Sequence, residues 1–322
     1  METPKISIII PVFNVEPYVE RCARSLFAQS MRELEYIFVD DCSPDMSISI
    51  INTVLQDFPM RKNSVTFIKH TENKGLTSAR NSGLAVAKGE FVMHCDSDDW
   101  LSNDMCQKLY ASASASNSDI VYSDFYMVFN SGMKVCNTLE VNDNRYTFLK
   151  RYMMGLTVLW NFIAKRQLYD EYQLRSPEYI TYCEDFHLSI RLFYYASKIS
   201  KVSEPLYYYN RTNVTSLLNT PNIKAREDSL MCFNEVANFL RTQGVYDYFE
   251  KEICWRILNS KQDWILSKST HDLFLNILPE SNKYLIDCPY LNFKVKVLIW
   301  CKLHHMGWVT NTLIILRSLF GR

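Results

Sequence analysis

Gly89-Glu90-Phe91-Val92-Met93-His94-Cys95-Asp96-Ser97-Asp98-Asp99-Trp100 runs from an apolar stretch of strand character straight into a turn holding three carboxylates, Asp96, Asp98 and Asp99. Like charges this close repel, and the cluster is costly unless a cation sits among them. A divalent metal meets that need. It takes hard oxygen ligands and leaves coordination positions to water and to the phosphates of a substrate. Read alone, the same residues also describe a solvated turn in which Asp98 and Asp99 cap the next helix. The upstream sequence decides between the two.

Ile6-Ser7-Ile8-Ile9-Ile10-Pro11 reads as a buried strand, rich in β-branched residues and stopped by proline, with Val12-Phe13-Asn14 leading into a helical pattern. Leu34 to Asp41 gives a second strand that also ends in paired acids, Asp40 and Asp41. Val65 to Lys69 gives a third and Phe91 to His94 a fourth. Amphipathic segments near 16–28, 46–57 and 75–87 lie between them. Strands alternating with helices of this length predict βαβ units and a mainly parallel sheet flanked by helices. Ligands of such sheets bind outside the carboxyl ends of the strands, where Pro11, Asp40, Asp41, Asp96 and Asp98 fall. The acids are therefore expected to face one crevice.

These pieces, taken in order, resemble the family 2 inverting glycosyltransferases, whose GT-A fold is a Rossmann-like α/β nucleotide-sugar-binding domain. The matching segments are Ser7 to Asn14, Phe38-Val39-Asp40-Asp41-Cys42-Ser43-Pro44-Asp45, Asn73-Lys74-Gly75-Leu76-Thr77-Ser78-Ala79-Arg80-Asn81-Ser82-Gly83, Asp96-Ser97-Asp98-Asp99 and Glu184-Asp185. Cys42 stands where the family usually has glycine and Pro44 where it usually has threonine, and neither change removes a carboxylate. The likeness covers about residues 5–215. It implies a GT-A catalytic domain over 1–215 and a helical C-terminal region over 216–322, where Ser229 to Leu240 and Tyr246 to Leu266 carry helical patterns.

The chemistry of the residues agrees with the roles the resemblance implies. Asp40 or Asp41 can accept the ring N–H of a uracil base, and Pro11, Phe13 and Arg80 can frame it. Asp96 is expected near the ribose and the metal, and Asp98 is the first choice for direct ligation of Mn2+ or Mg2+. Such a metal would stabilise the nucleoside diphosphate as it leaves. The resemblance makes Asp185 the base that takes a proton from the acceptor hydroxyl, with Glu184 in support. Without the resemblance, two acids in a helix's first turn read more simply as dipole compensation. Trp160-Asn161 falls where the family shows the same pair, near the acceptor. Arg211, in Tyr207-Tyr208-Tyr209-Asn210-Arg211 ahead of Thr215-Ser216, resembles the phosphate-facing arginine of the family's closing segment, displaced by the intervening Asn210.

The remaining composition bounds the function. With 322 residues, of which 48% are hydrophobic and 14% aromatic, the chain supplies a sizeable core. Thirty-five basic residues balance thirty-five acidic ones, which argues against whole-protein attraction to nucleic acid. Ten cysteines without a CxxC pair, and the polar start Met1-Glu2-Thr3-Pro4-Lys5, point to reduced thiols in a cytoplasm and not to structural zinc. After Asp287 no acidic residue appears, while Lys294, Lys296, Lys302, Arg317 and Arg322 alternate with Trp300, Trp308 and Leu313 to Leu316. A basic, aromatic tail of this kind over 293–322 suits peripheral contact with the inner face of a membrane, and equally a helix packed on the enzyme or on a second subunit of a homo-oligomer.

The expected function is metal-dependent, inverting transfer of a hexosyl or N-acetylhexosaminyl group from a nucleoside-diphosphate sugar, with UDP the expected nucleotide. The acceptor is a hydroxyl of a glycan or lipid-linked oligosaccharide in cell-surface polysaccharide synthesis. A noncatalytic sugar-nucleotide-binding or scaffold subunit would have lost these acids. A sugar nucleotidyltransferase would carry a glycine-rich loop where Pro11-Val12-Phe13-Asn14 stands.

Overall fold

The computed structural model describes residues 3–141, 144–213, 223–266, 271–304, 306, 308 and 312. Among these, two compact units divide the chain, one from residues 1–152 and 156–221, the other from 153–155 and 222–322. Thr215, Ser216 and the tail residues Leu313 to Arg322 lie outside the described residues.

The first unit opens with the expected alternation: β1 (Ile6–Val12), α1 (Glu16–Phe27), β2 (Leu34–Asp40), α2 (Ser47–Gln56), β3 (Val65–Lys69), α3 (Leu76–Val86) and β4 (Phe91–His94). Strand β1 lies between β2 and β4 and is parallel to both, and β3 continues the parallel order outside β2. All seven residues of β1 are buried, because helices cover both faces of the sheet at this point. Ile6, Ile8, Ile10 and Val12 join Leu26, Phe27, Tyr36 and Phe38 in one apolar cluster, each side chain contributing about 1.5–3 kcal/mol of burial.

Beyond β4 the sheet becomes mixed. The chain continues through β5 (Trp100–Leu101), α4 (Met105–Ser116), β6 (Ile120–Phe129), β7 (Gly132–Cys136), α5 (Arg145–Met154), β8 (Phe162–Lys165), α6 (Arg166–Glu171), α7 (Glu184–Tyr195) and β9 (Ile199–Asn210). The strand order is β3-β2-β1-β4-β8-β6-β9-β5, with β7 paired to β6. Strand β8 runs antiparallel to both β4 and β6. The parallel expectation thus describes the half before residue 95, and the later half needs antiparallel neighbours because its strands are not each followed by a crossover helix.

Two features of this sheet aim the site. Helix α3 approaches β1 so closely that a Cβ at Gly83 would stand 2.5 Å from the Ile9 Cγ2 atom, and only glycine permits that contact. Short β5 pairs through Trp100 and Leu101 with Tyr208 and Tyr207, stitching the acidic turn after β4 to the end of β9.

The second unit contains α8 (Ile223–Thr242), α9 (Tyr246–Lys261), α10 (His271–Asn276) and α11 (Phe293–Leu303). Lys261 is buried, donates from Nζ to the Ile277 carbonyl at 2.8 Å and to Asn282 Oδ1 at 2.9 Å, and is pushed down to about 8 by that burial. Asn292 caps α11, its side chain accepting from the Val295 N–H. No helix among the described residues is long and apolar enough to cross a membrane.

Candidate active site

The acidic turn Asp96 to Asp99 is held by its own backbone and by β9. The Asp99 N–H donates to the Asp96 carbonyl at 3.1 Å. Asp99 is buried and accepts from the Tyr207 hydroxyl at 2.8 Å and from the Asn210 N–H at 2.7 Å. The same hydroxyl accepts from the Asp96 N–H, and Asn210 Nδ2 donates to the Asp98 carbonyl. Asp99 is therefore the anchor that shapes the turn. Asp96 and Asp98 are the acids it presents.

Asp98 accepts one side-chain hydrogen bond, from Asn213 Nδ2 at 2.7 Å. Burial, with the neighbouring Asp96 charge, pushes its carboxyl up to about 6. Asp96 and Asp98 are hard oxygen donors of the kind a divalent metal takes, and they are the residues that would hold one. The protein side would then supply at most these two, leaving the remaining positions to diphosphate oxygens and water.

Arg80 stands at the centre of the site. It leaves α3 three residues after Thr77, whose hydroxyl donates to the Ile180 carbonyl at 2.7 Å, and one before Asn81, whose Nδ2 donates to the Ser176 carbonyl at 2.8 Å. These bonds fasten α3 to the segment ahead of α7. The Arg80 guanidinium donates through Nη2 to Asp96 at 2.8 Å and through Nη1 to Glu184 at 2.9 Å and Asp185 at 2.5 Å. Burial opposes its charge, but Asp185, Asp96 and Glu184 outweigh that and hold the proton on firmly. Both α7 acids are displaced upward. Burial and the adjacent Asp185 charge push Glu184 to about 8, and burial raises Asp185 against the pull of Arg80.

Arg80 is 2% exposed and commits both Nη atoms to carboxylates. In the loop after β2 the two acids differ in their partners. Asp41 accepts from His70 Nδ1 at 2.6 Å, from the Lys74 N–H at 2.9 Å and from the Gly75 N–H at 2.8 Å. Both its oxygens are occupied in shaping the entrance to α3, where Gly75 takes a φ of +88°. Asp40 accepts the Ser43 N–H at 2.8 Å through Oδ1, and among the described residues no donor is given to its Oδ2. Phe13 is 42% exposed just beyond β1, whereas Pro11 is buried within the strand.

Trp160 and Asn161 are core residues. The Trp160 indole stacks on Tyr207 at 4.4 Å and meets Phe125 edge-on at 4.9 Å, so its faces are covered. Asn161 is buried and donates to the Ser123 carbonyl. Arg211 is exposed, and its guanidinium donates to the Tyr209 hydroxyl at 2.9 Å. Sequence reasoning missed Asn213, Tyr207, Asn210 and His70, each more than 25 residues from the acid it serves. No local pattern links Asn213 to Asp98 across that separation.

The model of glycosyl transferase family 2 matches residues 7–182. The uncharacterized glycosyltransferase EpsJ of Bacillus subtilis (strain 168) is 31% identical over 236 residues, 70% of this chain and 67% of EpsJ. Among solved structures, residues 1–349 of S. aureus TarS in complex with UDP-GlcNAc superimpose with a TM-score of 0.72 at 18% identity, covering 99% of this chain and 92% of that one. The mannosyltransferase PcManGT of Pyrobaculum calidifontis, in complex with GDP-Man and Mn2+, gives a TM-score of 0.56 at 14% identity, covering 100% and 89%. Likenesses at these identities establish the GT-A fold that the two structures share with this chain.

Proposed function

Because the chain belongs to glycosyl transferase family 2 and is a glycosyltransferase, we propose that it moves a hexosyl or N-acetylhexosaminyl group from a UDP-sugar to a glycan or lipid-linked hydroxyl, inverting the anomeric centre. One observation carries this reading. The donor-side acid Asp96 and the helix acids Glu184 and Asp185 meet around a single guanidinium, so a nucleotide site and a proton acceptor share one crevice.

In this mechanism Asp40 accepts the uracil N–H through Oδ2, and the exposed Phe13 ring covers the base. Asp96 and Asp98 would hold Mn2+ or Mg2+. The bound metal supplies neutralisation of the charge that develops on the leaving group. Asp185 takes the proton of the acceptor hydroxyl as that oxygen bonds to the anomeric carbon. The pair of electrons of the breaking carbon–oxygen bond departs with the nucleoside diphosphate. A single displacement of this kind inverts the centre.

We assign donor binding and catalysis to the first unit and acceptor or membrane association to the second. Helix α11 supports a peripheral contact. Phe293 is 80% and Trp300 42% exposed, and Lys294 and Lys296 flank them, which suits the anionic cytoplasmic leaflet. A lipid-linked acceptor in polysaccharide synthesis fits such a placement.

The test is calorimetric titration of the purified protein with UDP, GDP, CDP and dTDP, each with and without Mn2+, against Asp98→Asn. Manganese-dependent binding of UDP alone, weakened about tenfold or more in the variant, supports the site. Preference for GDP transfers the same site to another donor pool. Absence of binding to all four nucleotides overturns the donor assignment.

A further inference from the structure

Resting on the donor and base assignments above, we propose that Arg80 is a positioning residue that couples the two halves of the reaction: one guanidinium is shared between Asp96 on the donor side and Glu184–Asp185 on the acceptor side, so that engagement of Asp96 by the donor is felt at Asp185.

The geometry carries the coupling. Asp96 and Asp185 lie on the loop after β4 and on the first turn of α7, and Arg80 donates to both, at 2.8 Å and 2.5 Å. Nη1 is divided between Glu184 and Asp185, Nη2 serves Asp96, and Nε is buried with no hydrogen-bond partner among the described residues. All the polar capacity that Arg80 has in use is therefore directed at the three acids. Three carboxylates compete for one cation, and strengthening one contact weakens the claim of the others.

Arg80 also has little freedom to follow any one of them. Its helix is fixed from the α7 side by Thr77 and Asn81, and it closes on β1 through Gly83. A rigid, planar fork on an immobilised helix can redistribute its hydrogen bonds only by rotation of the side chain and movement of the acids. When nucleotide and metal engage Asp96, the guanidinium is released toward Glu184 and Asp185 and holds the base carboxylate in one orientation. Linkage makes the effect reciprocal: removing the charge of Asp185 leaves Arg80 gripping Asp96 more tightly and lowers the affinity for the nucleotide.

A thermodynamic cycle tests this, with UDP and Mn2+ as the probe and calorimetric affinity as the readout. In the otherwise native chain, Asp185→Asn is expected to weaken UDP binding about fivefold. In an Arg80→Gln background, the same substitution should change the affinity by less than about 1.5-fold. Arg80→Lys keeps a point charge but lacks the fork that spans both sides. It is expected to melt near the native temperature, to bind UDP, to show the same loss of coupling and to turn over about tenfold more slowly with the donor KM little changed. It also serves where Arg80→Gln does not fold. An Asp185→Asn shift that persists in either background, or no shift in the native chain that binds UDP, overturns the coupling. If the native chain binds no nucleotide, the donor site itself fails, and the coupling fails with it.

Discussion

After β2, Asp41 accepts hydrogen bonds from His70 and from the backbone of Lys74 and Gly75, so that both its oxygens are occupied. After β4, Asp96 and Asp98 are held by fewer donors, and burial, with the neighbouring Asp96 charge, pushes the Asp98 carboxyl up to about 6. Both turns close parallel strands at the same end of the sheet. One uses its carboxylate as a structural fastener, and the other keeps an excess of negative charge at the mouth of the crevice. The contrast teaches that acids at neighbouring strand ends can divide their work: Asp41 is spent on the hydrogen bonds that build its loop, whereas Asp96 and Asp98 carry fewer such bonds.

The strongest challenge to this contrast is Asp185→Asn. If the cluster around Arg80 exists for chemistry, transfer should fall by about 10²–10⁴-fold in kcat. Binding of UDP should remain measurable and the melting temperature should not drop, because the substitution removes a charge from an overfull site. Near-normal turnover with the true acceptor would move the base elsewhere.

The pH dependence sharpens the same point. A base must be ionised, and the α7 pair is raised, Glu184 to about 8 by burial and by Asp185. Transfer should therefore decline on acidification already from the neutral range, by about tenfold per pH unit below the apparent value, instead of only near pH 4. Stability responds with the opposite sign. The folded state binds this proton more tightly than the unfolded chain, so the contribution of Glu184 to stability rises as pH falls from about 8 toward its ordinary 4.5. Glu184→Gln should flatten that part of the melting-temperature profile.

At the other turn, Asp41→Ala should act on stability. It leaves the Lys74 N–H and His70 Nδ1 without their acceptor and the Gly75 N–H with Asn73 Oδ1 alone, at about 2–3 kcal/mol, read from urea unfolding. An unchanged midpoint would erase the distinction between the two turns. The smallest effect is expected at Phe13→Ala, which removes an exposed ring and should weaken UDP binding about three- to tenfold without altering the melting temperature.

Much of this was legible along the chain. The four leading strands and three helices follow from runs of β-branched residues and from amphipathic spacing, both of which act over a few residues. The acids at the strand ends follow from the same local patterns. Trp160 shows where such reasoning stops. An aromatic residue near an acceptor motif has the same sequence whether its ring faces a sugar or stacks on Tyr207, and only packing separates the two. Arg80 is the counterpart among charged residues, since its motif marks it as important without saying which acids it meets.

The sequence by itself determined the family, the parallel half of the sheet and which carboxylates stand at the strand ends, because these depend on short-range periodicity and on residue type. Tertiary structure decided how the carboxylates divide their work. Asp41 became a fastener, Asp99 an anchor under Tyr207 and Asn210, and Asp96, Glu184 and Asp185 partners of one guanidinium. That division depends on hydrogen bonds and Coulomb terms between residues from 16 to more than 100 positions apart, and such pairings exist only once the sheet has brought the loops together.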